Sequence, residues 1–206
     1  MTEMNSEEYR ELRIDVLTEI SNVGTGNAAH SLSSMLSGDI SIEVPVIRFL
    51  EFKDLAEAID GAENTVVGIM VNLQRDLNGM VMFLMDIKSA NGILNNLFGR
   101  PAGHVIEEFS EMELSALNEL GNVMAGAYLS AISTLTGLSA ATTVPEIAID
   151  MAGAIMSVPA IAFGKISDRV LLIQSEIKGE GINAMGNFIL TPTEESFDKI
   201  FNALWA

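Results

Sequence analysis

The feature that most constrains this chain is that it repeats itself at an offset of 100 residues. Asp15-Val-Leu-Thr-Glu19-Ile-Ser-Asn22-Val-Gly-Thr-Gly26 aligns without a gap to Ser115-Ala-Leu-Asn-Glu119-Leu-Gly-Asn122-Val-Met-Ala-Gly126. The register holds as far as position 47, and Leu17, Glu19, Asn22, Val23, Gly26, Ser33, Val44, Pro45 and Ile47 are identical in both copies. Upstream, Glu7, Glu8 and Glu11 match Glu107, Glu108 and Glu111. Self-similarity of this kind means one folding unit used twice. The chain is therefore expected to form a single domain of two repeats, about 7–100 and 107–206, sharing a core as a pseudo-dimeric monomer.

Each repeat has the same succession of elements. Residues 7–36 and 107–136 read as long helices. A short extended stretch follows around Val44-Pro45 or Val144-Pro145, because a residue before proline is pushed out of the helical region. Strand pairs come next, Thr65–Leu73 with Gly79–Met85 and Arg169–Ile177 with Asn183–Leu190, divided by Gln74–Asn78 and Lys178–Gly181. A helix closes each repeat, near Ile87–Phe98 and Thr193–Leu204. Ile147–Ala162 reads as a helix stopped near Pro159, where the corresponding Leu50–Ala58 is more acidic. The pattern predicts an internally duplicated α/β fold of pseudo-two-fold symmetry, with an antiparallel sheet and two long motif helices.

At 100° per residue, Asp15, Glu19, Asn22 and Gly26 fall within about 60° of one another on a helix and form one polar line. Leu12, Val16, Ile20 and Val23 are read as a separate apolar stripe facing the core. Ser115, Glu119, Asn122 and Gly126 repeat the line, with Met112, Ala116, Leu120 and Val123 as the stripe. An ordinary solvated face tolerates any polar residue, yet the diverged repeats keep the same Glu and the same Asn. They also keep a glycine, which in a helix interior costs about 1 kcal/mol against alanine. A carboxylate can pair with a lysine or act as a base, and an amide can both donate to and accept from a water. Neither is a good nucleophile. The pair suits orienting water against an electrophile brought by a partner, as in phosphoryl hydrolysis, where positioning and charge stabilisation dominate.

Composition narrows the partners. The chain is 49% apolar and 19% charged, as in folded globular proteins. Its net charge of −17 disfavours nucleic acid and anionic membranes. With no cysteine there is no disulfide, thiol nucleophile or cysteine-based zinc site. The polar N-terminal stretch carries no signal-peptide pattern, so a cytoplasmic protein is expected. Leu120–Pro145 is uncharged, but its Gly, Ser, Thr and Asn content favours a buried helix running into a strand over a membrane span. Gly24-Thr-Gly26-Asn-Ala-Ala29 matches the form of a dinucleotide loop but follows a polar helix rather than an apolar strand. Gly137-Leu-Ser139-Ala-Ala141 lacks the last glycine of a nucleophile elbow, and His30 and His104 are too far apart in sequence to suggest a metal pair.

The spacing Asp15-x3-Glu19-x2-Asn22-x22-Pro45, repeated as Ser115-x3-Glu119-x2-Asn122-x22-Pro145, resembles the signature of the CheC/CheX/FliY phosphatases. That signature is Asp or Ser, then Glu, Asn and a distant Pro. The flanks Gly24–Ala29 and Gly121–Tyr128 also look like the family's. The resemblance implies a chemotaxis phosphatase that hydrolyses the aspartyl phosphate of the response regulator CheY. On that reading Asn22 and Asn122 orient the attacking water, and Glu19 and Glu119 engage the regulator's conserved lysine. Asp15, Gly26, Pro45, Ser115, Gly126 and Pro145 support the motif. No cofactor belongs to this chain; the Mg ion is expected on CheY.

Two motifs and an end at Ala206 match the CheC branch better than single-motif CheX or FliY with its flagellar-switch region. The resemblance also implies binding of the receptor deamidase CheD at Ile147–Ala154, with Asp150 as contact, although a buried amphipathic helix with one stray acid explains that stretch equally well. The rival function is a non-catalytic adaptor that only binds phosphorylated CheY or CheD.

Overall fold

The structure is a computed structural model that describes residues 6–36, 38–43, 46–59, 61–163 and 169–205. In chain order the elements are α1 (Ser6–Met35), β1 (Ser41–Ile42), β2 (Val46–Glu51), α2 (Phe52–Ala58), β3 (Thr65–Arg75), β4 (Gly79–Asp86), α3 (Ile87–Leu97) and α4 (Glu111–Thr136). They continue as β5 (Ala140–Thr142), β6 (Glu146–Met151), α5 (Ala152–Phe163), β7 (Arg169–Gly179), β8 (Ile182–Pro192) and α6 (Glu194–Trp205). The fold is thus the expected mixture of helices and one antiparallel sheet, with both long motif helices present.

The sheet runs β1-β7-β8-β4-β3-β5, with β2 also on β7 and β6 also on β3. Exchanging β1 with β5, β7 with β3 and β8 with β4 leaves this order unchanged. The register obeys the same exchange: Ile42 pairs with Ile177 as Thr142 pairs with Leu73, and Val46 with Gln174 as Glu146 with Met70. Phe83 and Phe188 face each other across β4 and β8 at the centre. Helices cover both faces. Residues of α1, α3, α4 and α6 pack with Val67, Ile69, Val81, Phe83, Ile173 and Phe188, whereas Leu55 of α2 and Ile155 of α5 pack on the opposite face with Met82, Leu84, Leu172 and Ile189. Lying between two helical layers, β4 is buried from Gly79 to Met85, which is why it reads as a continuous apolar run rather than an alternation.

Several boundaries differ from expectation for local reasons. α4 begins at Glu111, not 107, because Ser110 caps it: its hydroxyl accepts from the Glu113 N–H while Glu113 accepts from the Ser110 N–H. Gly137, in the left-handed region at φ 73°, ends the same helix. All four long strands run beyond the expected ends, since the sheet pairs them out to Arg75, Asp86, Gly179 and Pro192.

Ile147–Met151 is strand β6 and not helix. It pairs residue by residue with β3, a partner distant in sequence that no local pattern announces. Pro159 does not stop α5, which runs on to Phe163. The proline removes the donor that Ile155 O would have used, but it is itself buried.

The edge strands account for the distant proline. Thr142 pairs with Leu73 and Glu146 with Met70, so the three residues 143–145 stand opposite the two residues Val71 and Asn72. This is a bulge on an exposed edge, a place where proline's missing N–H costs nothing and where the bend blunts the edge against pairing with another chain. Pro45 and Val44 lie outside the described residues.

Candidate functional site

The repeat-matched residues come to the surface in two lines. Between Asp15 and Ser34 of α1 the exposed residues are Asp15, Glu19, Asn22, Gly26, His30 and Ser34; all others are buried or half-buried. On α4 the exposed residues are Glu111, Met112, Ser115, Glu119, Asn122, Gly126, Ser130 and Thr134. The remaining surfaces of both helices are spent on the core and on each other, through Val16, Leu17, Ile20 and Ala28 on one and Leu117, Leu120, Met124 and Ile132 on the other. Among the described residues, each Glu–Asn pair therefore sits on the fully exposed strip of a helix whose other sides are buried or half-buried, a rigid mounting for side chains.

The glycines of the motif separate into two kinds. A side chain at Gly24 would begin 2.6 Å from the Tyr128 ring, and one at Gly121 would be driven into Ile69. These two glycines are required by packing within the chain. Around Gly26 and Gly126 nothing lies within 4 Å of where a Cβ would stand. Among the described residues nothing requires a glycine at these two positions, although each costs helix stability. Gly24 and Gly26 both lie in the middle of α1, which disposes of a dinucleotide loop.

α1 and α4 cross just C-terminal to the two asparagines. Asn27 Nδ2 donates to Ala127 O at 3.4 Å, and the hydroxyls of Thr25 and Tyr128 share a hydrogen bond of 3.1 Å. The Tyr128 ring stacks on Phe188 with centroids 3.9 Å apart, and burial pushes its phenol pKa up. This contact ties both motif helices to the central strand pair.

The N-terminus of α4 is clamped by groups that the motif reading did not single out. Glu113 is buried, accepts from Ser110 N and Ser110 Oγ at 2.7 Å each, and pairs with Arg100 Nη1 at 2.5 Å. The Ser110 hydrogen bonds foremost, with Arg100, hold its carboxyl down at a pKa of about 2. Ser110-x-x-Glu113 is a recognisable capping box in the sequence. Its half-buried partner Arg100 has no comparable signal.

Two further assignments change. Met112, placed on the core stripe from the sequence, is exposed on α4, in line with Ser115, Glu119 and Asn122. The side chain of Leu12, its counterpart, lies outside the described residues. Asp150 is not on a buried helix: it is exposed on β6, where its carboxylate accepts from Met151 N at 2.7 Å. Pro145 stands on the sheet edge rather than on a motif helix, joined to the site through β5, which packs along α4. Among the described residues, no three His, Cys, Asp or Glu side chains gather as a metal site, and no helix is long and apolar enough to cross a membrane.

A sequence profile of the CheC-like family matches residues 12–48 and 112–149, taking in both motif lines. Over 96% of this chain and 96% of its own length, the CheY-P phosphatase CheC of Bacillus subtilis is 32% identical. The chain belongs to the CheC-like family. The flagellar motor switch phosphatase FliY of B. subtilis is 24% identical over 63% of this chain and 33% of FliY. In structure the fold matches the crystal structure of Thermotoga maritima FliY at a TM-score of 0.75, with 24% identity, covering 100% of this chain and 98% of that one. It also matches the FliM middle domain of H. pylori at a TM-score of 0.62 and 11% identity, covering 97% and 99%. The CheC-like fold thus extends to proteins with few residues in common, and function has to be argued from the motif lines rather than the scaffold.

Proposed function

We propose that this chain is a protein phosphatase that hydrolyses the aspartyl phosphate of the response regulator CheY, using two sites of the same design. The observation that carries the reading is the paired, outward-facing Glu19–Asn22 and Glu119–Asn122, each with an unobstructed glycine one turn beyond the Asn. The likeness to a whole-length CheY-P phosphatase points to the same substrate.

The chemistry follows from what the side chains can do. The regulator brings the electrophile and the Mg ion that neutralises charge on its phosphoryl oxygens. As α1 or α4 docks, the amide of Asn22 or Asn122 accepts from and donates around one water, fixing it in line with the phosphorus. Glu19 or Glu119 pairs with a lysine of the regulator and holds the helix in register. Gly26 and Gly126 allow the regulator's backbone to close over the helix. The chain acts as a single unit of two repeats, 7–100 and 107–206, a reading that the exchange symmetry of the strand registers supports. The exposed Asp150 on β6 remains the proposed contact for CheD. The protein works in the cytoplasm, where its substrate is made.

Replacing Asn22 and Asn122 together with Ala should abolish turnover of phosphorylated CheY while leaving its binding within about twofold, because an exposed amide contributes little to affinity but fixes the water. Equal loss of binding and turnover would favour the adaptor reading, in which the helices dock the regulator without hydrolysing it.

A further inference from the structure

Residues 112 and 113 of α4 have inverted exposure. Glu113 is 4% exposed and Met112 is 69% exposed. A helix free to choose its rotation would bury the thioether and leave the carboxylate in water. It is prevented from doing so because Ser110 and Arg100 hold Glu113 inside, and turning α4 to cover Met112 would pull that carboxylate out of its hydrogen bonds. The rotational phase that exposes Met112 is the one that exposes Glu119 and Asn122. Met112, Ser115, Glu119, Asn122 and Gly126 are spaced three, four, three and four apart, which keeps them on one face over four turns.

The polar line by itself holds a partner poorly. An ion pair between exposed groups contributes little to affinity, and the overall charge of −17 affects the rate of encounter more than the lifetime of the complex. Durable docking requires an apolar group that loses water on contact, and an unbranched, adaptable methionine suits that role. The first repeat keeps an apolar residue, Leu12, at the same distance from its Glu and Asn.

We propose that Met112 is a specificity-determining contact of the second site, an apolar anchor two turns before Glu119 that the docked response regulator covers. The proposal rests on the phosphatase reading above and names a contact that the Glu/Asn motif does not include. Arg100, Ser110 and Glu113 act through it as positioning residues, since they set which face of α4 is offered. In the first repeat Arg10 and Arg13 stand where Ser110 and Glu113 stand in the second, so this clamp belongs to the second site alone.

The test uses the full chain with its first site silenced by Glu19→Ala and Asn22→Ala, so that turnover of phosphorylated CheY reports on α4. Met112→Ala should raise KM about tenfold with kcat held, the equivalent of losing one buried side chain's contact. Met112→Leu should restore KM. Ile161→Ala, which removes a side chain 79% exposed on α5, should change neither parameter. An unchanged KM in Met112→Ala, in a chain where Asn122→Ala still abolishes turnover, overturns this inference and leaves the phosphatase reading standing. A fall in kcat at constant KM overturns it as well. If the chain with only its first site silenced shows no turnover at all, a working second site is contradicted and the anchor falls with it.

Discussion

Gly126 and Gly121 are five residues apart on one helix and make opposite predictions. Alanine at Gly121 has to displace Ile69 from the central sheet, an overpacking that should cost about 2 kcal/mol of stability. Alanine at Gly126, or at Gly26, meets nothing and removes a helix-destabilising residue, so it should gain about 1 kcal/mol. If those two glycines exist to admit a partner, the stabilised Gly26→Ala/Gly126→Ala double variant will nonetheless dephosphorylate CheY more slowly, by about tenfold. Chemical denaturation and phosphate-decay assays on the same samples measure both effects. A variant more stable and fully active would mean that the glycines are inherited rather than used.

At the scale of elements, the start of α4 is the most closely specified piece of the molecule. Its Ser110 hydrogen bonds and the Arg100 guanidinium hold the Glu113 carboxyl at a pKa of about 2 in the folded chain, well below the usual carboxylate range. A carboxyl with a depressed folded pKa contributes stability above its unfolded pKa and loses that contribution as pH falls through the folded one. The contribution of Glu113 should therefore be complete above about pH 4.5 and decline toward pH 2. Glu113→Gln should lower stability by roughly 2 to 3 kcal/mol at neutral pH, through the lost ion pair and weakened cap. Thermal melts of the two proteins should converge as pH approaches 2, whereas a gap that persists to that pH would assign the effect to packing.

The elements also show what could be read in advance. α1, α4 and the two central hairpins announce themselves through the repeat, the turn residues and the apolar runs, all of which are local. β6 was expected to be helical because Ile147–Met151 looks apolar in isolation, and its strand state is imposed by β3, some eighty residues earlier in the chain. α5 passes Pro159 because burial of the ring outweighs one lost hydrogen bond. In the site, the Glu, Asn and Gly of each line were legible because the chain carries them twice. Met112 was assigned to the wrong face: the 100° step that groups Glu119 with Asn122 also brings Met112 beside them, and apolar character alone misled. Arg100 reaches Glu113 only through the loop between α3 and α4, a closure invisible to periodicity.

For the molecule as a whole, the sheet is palindromic about the Phe83–Phe188 pair, and α4 is fastened to that centre by the Tyr128–Phe188 stack while α1 is fastened to α4. The same fold recurs in the FliM middle domain at 11% identity, and a shared layering of sheet and helices does not by itself fix an activity. On the proposed reading, function rests on two exposed strips, each able to work without the other. Silencing either one should leave a substantial fraction of the activity, and silencing both should leave none. The most direct measurement is the decay of phosphorylated CheY in the presence of Mg, alone and with catalytic amounts of this chain, of Glu19→Ala/Asn22→Ala, of Glu119→Ala/Asn122→Ala and of all four substitutions combined. The account predicts accelerated decay with the intact chain and with each single-site variant, falling to the spontaneous rate only when both sites are removed. Decay at the spontaneous rate with the intact chain, or full acceleration with all four residues replaced, would contradict it.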